Sequence, residues 1–236
     1  MKAVITGSSK GLGRAIARCF VKEGHDVAVT ARNTTDLKEL IDELKKLNAS
    51  CKITGTTVDF EDVKSMENYC EIVKKEFGAI DILINNVGIY NEDVVGQNID
   101  QNLKKNLEVN TFSAIRMSNA FLPSLKMKSS SHIITIVSIA ALNPRIDAVS
   151  YSISKAALKC YTDIQRESLR KYGVKVVGIY PGAMNTSSWD GQDVTTKLMI
   201  QPEDVSKSIL QIIQMSENAT VEELVINTNK PLFNEQ

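Results

Sequence analysis

The chain has 236 residues, 28 Lys plus Arg against 28 Asp plus Glu, and 43% hydrophobic residues. That balance excludes a disordered or collagenous chain, and with no basic excess nothing in the charge points to nucleic acid or anionic lipid as the main partner. The longest strongly apolar stretch, 133–142, is broken by Thr135 and Ser138 and falls far short of the roughly 18 residues a membrane helix needs, so no membrane span is expected.

The first residues, Met1-Lys2-Ala3-Val4-Ile5-Thr6-Gly7, stop at a glycine with no long apolar region and no small-residue cleavage site, and the expected location is the cytoplasm. From there short β-branched runs alternate with helical patterns along the whole chain. Strands are predicted at 2–6, 26–30, 52–58, 80–85, 132–138, 175–180 and 223–227, and helices at 11–23, 34–48, 61–77, 99–127, 149–172 and 202–216. The alternation defines an α/β class, a doubly wound and mostly parallel seven-stranded sheet with helices on both faces. No repeat, low-complexity tract or Pro/Gly/Ser linker divides the chain, so 1–236 reads as a single domain.

Leu37, Leu40, Ile41, Leu44 and Leu47 recur at helical spacing among charges, as a helix covering a sheet requires. The segment 149–172 differs. Its Val149, Tyr151, Ile153, Ala156, Ala157, Leu158, Tyr161, Ile164 and Leu169 cover more than one face, which predicts a second packing surface and a homo-oligomer. Cys19, Cys51, Cys70 and Cys160 stand apart with no C-x-x-C pair, a pattern of reduced packing residues and neither a disulfide framework nor a metal site.

Three groups of residues carry chemistry. After the first strand, Thr6-Gly7-Ser8-Ser9-Lys10-Gly11-Leu12-Gly13 opens a helix, and glycines there let backbone approach a pyrophosphate that rests on the helix N-terminus. The spacing is Gly-x3-Gly-x-Gly, and no Gly-Lys-Ser/Thr follows, so this is not a P-loop. About 20 residues on, where an acid receives a ribose 2′-OH or a cation a 2′-phosphate, stands Arg32; with Lys10 it favours NADPH/NADP+ over NADH. Tyr151 and Lys155 lie one helical turn apart, and Ser138 precedes them at the end of a predicted strand, where open α/β sheets place their sites. An adjacent ammonium is expected to favour the phenolate, making Tyr151 a proton donor or acceptor near neutral pH.

These motifs together resemble the short-chain dehydrogenase/reductase family, in its short single-domain branch, over nearly the whole chain. Thr6-Gly-x3-Gly-x-Gly13 matches the cofactor turn, Asp59 after the third strand the adenine-contacting acid, and Asn85-Asn86-Val87-Gly88 an Asn-Asn-Ala-Gly run, with Val87 a small departure. Asn110, Ser138, Tyr151 and Lys155 fall where the family keeps a catalytic tetrad, and Pro181-Gly182 followed by Thr186 resembles its nicotinamide turn.

The resemblance implies a Rossmann-type NAD(P)-binding domain whose cofactor touches Gly7, Ser9, Lys10, Gly11, Leu12, Gly13, Arg32, Asp59, Phe60, Asn86, Val87, Gly88, Tyr151, Lys155, Pro181, Gly182, Met184 and Thr186. It implies NADPH-dependent reduction of a ketone or aldehyde, including β-ketoacyl types. Ser138 would hydrogen-bond the substrate oxygen, Tyr151 protonate it, Lys155 hold the nicotinamide ribose, and Asn110 a water that resupplies protons. It further implies a substrate lid at 184–200 containing Trp189, and a tetramer that pairs 149–172 and 110–127 across a two-fold axis. Tyr90, Ile139, Ala140, Asn143 and Arg145 are candidates for the mouth; His25 and His132 receive no role. Two alternatives stay open, a non-catalytic NADP(H) sensor on the same fold and a sugar-nucleotide epimerase or dehydratase, although the latter usually needs a larger C-terminal domain.

Overall fold

In the computed structural model, which describes residues 1–97, 99–186 and 196–229, the strands are β1 (Lys2–Ile5), β2 (Asp26–Ala31), β3 (Ile53–Thr57), β4 (Ile82–Asn85), β5 (Ser131–Ile136), β6 (Val174–Pro181) and β7 (Glu223–Ile226). They form one sheet in the order β3-β2-β1-β4-β5-β6-β7. Every pairing is parallel, so the expected "mostly parallel" sheet is parallel throughout. Parallel strands buried on both faces read as unbroken apolar runs, and alternate residues go to opposite sides. Ile5, Val29, Ile84, Ile134 and Ile179 face α1 (Gly11–Lys22), α2 (Thr34–Leu47) and α7 (Pro202–Ile213). Val4, Ala28, Leu83, Ile133 and Val176 face α3 (Val63–Phe77), α5 (Ser113–Lys126) and α6 (Val149–Arg170).

Local chemistry sets the element ends. The Asn33 side chain accepts from Asp36 N and starts α2, and the Asp62 side chain accepts from Lys64 N, which starts α3 at Val63 two residues after the predicted 61. The predicted helix 99–127 is three joined segments, α4 (Asp100–Asn106), a π-helical stretch Leu107–Phe112, and α5. The wider turn carries Asn110, in keeping with the tendency of π segments to sit at functional sites. Strand β5 stops at Ile136, so Ser138 heads a short 3-10 turn, Ile139–Ala141, two residues past the strand.

All four cysteines are free, and among the described residues no helix is long and apolar enough to cross a membrane. On α6, Leu158 and Leu169 pack inward, while Ile153, Ala156, Cys160 and Ile164 form an exposed stripe.

Candidate active site

The strand order reverses between β1 and β4, and a cleft of about 530 Å³ opens at the carboxyl ends of these strands. One end of the cleft is the glycine turn. Gly7 (φ +64°) and Gly11 (φ +51°) occupy the left-handed region, and a Cβ on Gly13 would lie 2.1 Å from the Gly7 carbonyl oxygen. No side chain caps α1, so its first-turn amides are free of the usual competitor for a ligand. Asn86 ties the end of β4 to this turn: its Nδ2 donates to the carbonyls of Thr6 and Gly7 at 2.9 Å each, while Thr6 Oγ1 accepts from the amides of Asn86 and Val87.

Every residue named from sequence as a cofactor contact lines this cleft, from Gly7 through Thr186. Asp59 stands at its edge, where Oδ1 accepts from Glu61 N at 2.9 Å, and Phe60 is buried beside it. Arg32 is exposed on the wall. Lys10 is not wholly available to a phosphate, because Asp36 lies 3.5 Å from its Nζ. Asp36 sits in the first turn of the predicted helix 34–48, where an acid near the glycine turn is legible from sequence.

The other end holds Ser138, Tyr151 and Lys155. The Ser138 oxygen accepts from Ala140 N at 3.1 Å, and its hydroxyl faces the same cleft as the Tyr151 phenol. Lys155, 4% exposed, donates from Nζ to the carbonyl of Ile136 at 3.0 Å and lies 5.8 Å from the Tyr151 ring centroid. Burial lowers its pKa to about 8.

The expectation that Lys155 draws the Tyr151 pKa down is corrected. Burial raises it and outweighs the lowering by Ser138, so the phenol of the cofactor-free protein stays protonated above the ordinary tyrosine range. Asn110 joins the site through its backbone neighbours. Its Oδ1 accepts from Ile89 N at 2.7 Å, and its Nδ2 donates to Ile89 O, Asn106 Oδ1 and Ser154 Oγ, which fastens the loop after β4 to α6.

At the mouth, the Tyr90 ring meets Tyr151 edge-on at 5.1 Å. Arg145 is bound by both carboxylate oxygens of Asp147, at 2.9 and 2.5 Å, so its charge is already matched. Met184 bridges to Ile200 and closes the base of the expected lid; Trp189 lies outside the described residues. His132 is buried with its pKa lowered to about 4 by burial, and His25 contacts the N-terminal amine; neither reaches the cleft.

The residues fit a nicotinamide dinucleotide. The turn admits backbone where a Cβ on Gly13 would collide with Gly7, and a buried ammonium faces the same cleft from the far end. At the level of class this is a dinucleotide-binding doubly wound protein. Residues 1–196 match the short chain dehydrogenase family, and the chain belongs to it, as an oxidoreductase. It is 29% identical over 224 residues to an uncharacterised oxidoreductase of Staphylococcus saprophyticus, covering 95% of both chains. L-Sorbose reductase from Gluconobacter frateurii, solved with NADPH and L-sorbose, shares the fold with a TM-score of 0.89 and 25% identity, over 98% of this chain and 97% of that one. An alcohol dehydrogenase from Thermococcus sibiricus, complexed with 5-hydroxy-NADP, is alike in fold, with a TM-score of 0.89 and 23% identity over 98% and 99% of the two chains.

Proposed function

We propose that this protein is a cytoplasmic NADPH-dependent carbonyl reductase, converting a ketone or aldehyde to an alcohol with Tyr151 as proton donor. The observation that carries the reading is that Ser138, Tyr151 and Lys155 line one cleft together with the glycine turn. When bound, the nicotinamide cofactor supplies hydride. Ser138 is oriented by the Ala140 amide on its oxygen, which leaves its O–H to donate to a substrate carbonyl oxygen. As negative charge grows on that oxygen, the Tyr151 O–H breaks toward it and the alcohol forms, leaving a phenolate stabilised by the nearby ammonium. Lys155 has one backbone acceptor, and its remaining N–H groups are free for ribose hydroxyls.

The test is NADPH oxidation by the purified protein across ketones including L-sorbose, aldehydes, quinones and β-ketoacyl thioesters. Turnover of a carbonyl supports the reading; NADPH binding with no turnover on any of them overturns it in favour of a sensor.

Arg32, with Lys10 shared by Asp36, supports a preference for the 2′-phosphate. Arg32→Asp is expected to reverse the preference for NADPH over NADH, by lost attraction and added repulsion together, as fluorescence titration with both cofactors will read. Equal affinities in the unmodified protein contradict the charge argument. The exposed stripe Ile153, Ala156, Cys160 and Ile164 supports a homo-oligomer, a tetramer in our reading, built on α6 and its neighbour α5. Light scattering at micromolar concentration is expected to give a multiple of 26.0 kDa, and a monomeric mass contradicts it.

A further inference from the structure

We infer that Asp93, which lies outside the catalytic set, is a positioning residue for Tyr151: its buried carboxylate caps α6 from across the chain and fixes where the phenol stands against Ser138. The residue just before α6 is Ala148, which has no side chain able to cap a helix, and α6 begins without a local side-chain cap. Asp93, 5% exposed, supplies that cap from the loop after β4. Its Oδ1 accepts from Ser150 N at 2.9 Å, and its Oδ2 accepts from the Ser150 hydroxyl and from Asn102 Nδ2. Its backbone pairs with the same stretch, with Asp93 N donating to Asp147 O at 3.1 Å and Val149 N to Asp93 O at 3.2 Å.

The next residue along α6 is Tyr151. Three residues before Asp93, on the same loop, Tyr90 packs edge-on against the Tyr151 ring, so one crossing of two segments sets both aromatic rings. The hydrogen bonds continue inward. Ser150 Oγ accepts from Asn106 Nδ2 at 3.1 Å, and Asn106 Oδ1 accepts from Asn110 Nδ2 at 3.1 Å, with Ser150 and Asn106 fully buried. A neutral side chain at 93 that cannot accept leaves Ser150 N, Ser150 Oγ and Asn102 short of a partner in a dry place. A shift of about 1 Å at a reacting group is enough to lower a rate about a hundredfold.

The charged and titratable groups around the Tyr151 phenol are Tyr90 from the loop after β4, Arg145 ahead of α6, and Lys155 on α6 itself, with Ser138 in the same cleft. Asp93 touches none of the reacting atoms, and its role rests on the reading of Tyr151 as proton donor.

Fluorine NMR of protein carrying 3-fluorotyrosine at its six tyrosines isolates the effect without a substrate, the Tyr151 signal being the one that Tyr151→Phe removes. In Asp93→Ala the Tyr151 signal is expected to move and its pKa to fall toward the ordinary value as the phenol gains water, with the signals of the tyrosines other than Tyr90 in place. Asp93→Asn keeps an oxygen for Ser150 N and is expected to hold the pKa near the parent. On the carbonyl turned over fastest, Asp93→Ala is expected to lower kcat tenfold to a hundredfold with the KM for NADPH within about twofold. The same change made on top of Tyr151→Phe is expected to lower the residual rate less than about threefold. Should Asp93→Ala not fold, Ser150→Ala, which removes only the hydroxyl between Asp93 and Asn106, is expected to lower the pKa in the same direction. Three results overturn the assignment: a Tyr151 signal and pKa unchanged in Asp93→Ala, or in Ser150→Ala where that variant stands in; an equal fall in Asp93→Asn and Asp93→Ala; or an equal rate loss with and without Tyr151. Full activity in Tyr151→Phe alone removes instead the proton-donor reading beneath it.

Discussion

Tyr151→Phe is expected to lower carbonyl reduction by roughly 10²- to 10⁴-fold, the range lost with a general acid, while the fold and NADPH affinity stay those of the parent. The substitution removes one oxygen. The ring that Tyr90 contacts remains, and so does the packing of α6. The Ser138 hydroxyl keeps the Ala140 amide, so a substrate oxygen still finds its hydrogen bond and lacks only the proton. Because burial holds the phenol above its ordinary pKa, titration of Tyr151 is expected to lie above pH 10 in the cofactor-free protein and to leave neutral solution untouched. Steady-state rates and fluorescence titration together check this. A variant that keeps most of the parent's rate removes Tyr151 from the chemistry.

The second large effect concerns Lys155, where function and stability are expected to move in opposite directions. Lys155→Met keeps the volume and removes the charge. Burial depresses the ammonium from the usual 10.5 to about 8, so the unfolded chain binds more protons than the folded one between those values. Stability of the cofactor-free protein therefore rises as pH rises through that window, and the full cost of burying the charge is present below pH 8. At pH 7 the Met variant is expected to be more stable than the parent by about 3 kcal/mol, the free energy of a shift of this size, and the gap to close toward pH 10.5. Urea unfolding at both pH values reads it, and a Met variant less stable than the parent at pH 7 contradicts the argument.

The same substitution is expected to abolish most reduction and weaken NADPH binding. In the parent the NADPH Kd is expected to rise with pH above about 8 as the ammonium loses its proton, and in the Met variant to be flat there. A parent Kd independent of pH from 7 to 9 shows that Lys155 does not hold the cofactor.

Much of this site was legible in the sequence because its parts are local. A glycine turn between a strand and a helix, and a Tyr and Lys one helical turn apart, are short-range patterns, and the seven apolar runs gave strands within about two residues of the observed bounds. What stayed hidden depends on groups far apart in the chain or on burial. The Lys10–Asp36 pair forms only when the glycine turn and α2 come together. The direction of the Tyr151 shift does not follow from spacing, which shows Lys155 nearby but not that its Nζ turns to the Ile136 carbonyl, nor that desolvation outweighs the charge. Asp93 caps a helix 57 residues away in sequence, and no local signal marks it. The π-helical turn around Asn110 likewise lies within an apolar pattern that reads as one continuous helix.

Reduction in the presence of NADPH deuterated at nicotinamide C4, with both labelled epimers used in turn and the alcohol product analysed by mass spectrometry and NMR, tests the central claim most directly. One epimer is expected to deliver its deuterium to the former carbonyl carbon and the other none, with solvent supplying only the hydroxyl proton. Product carrying no cofactor deuterium from either epimer, or an alcohol carbon labelled from solvent D₂O, contradicts hydride transfer to a carbonyl in this cleft.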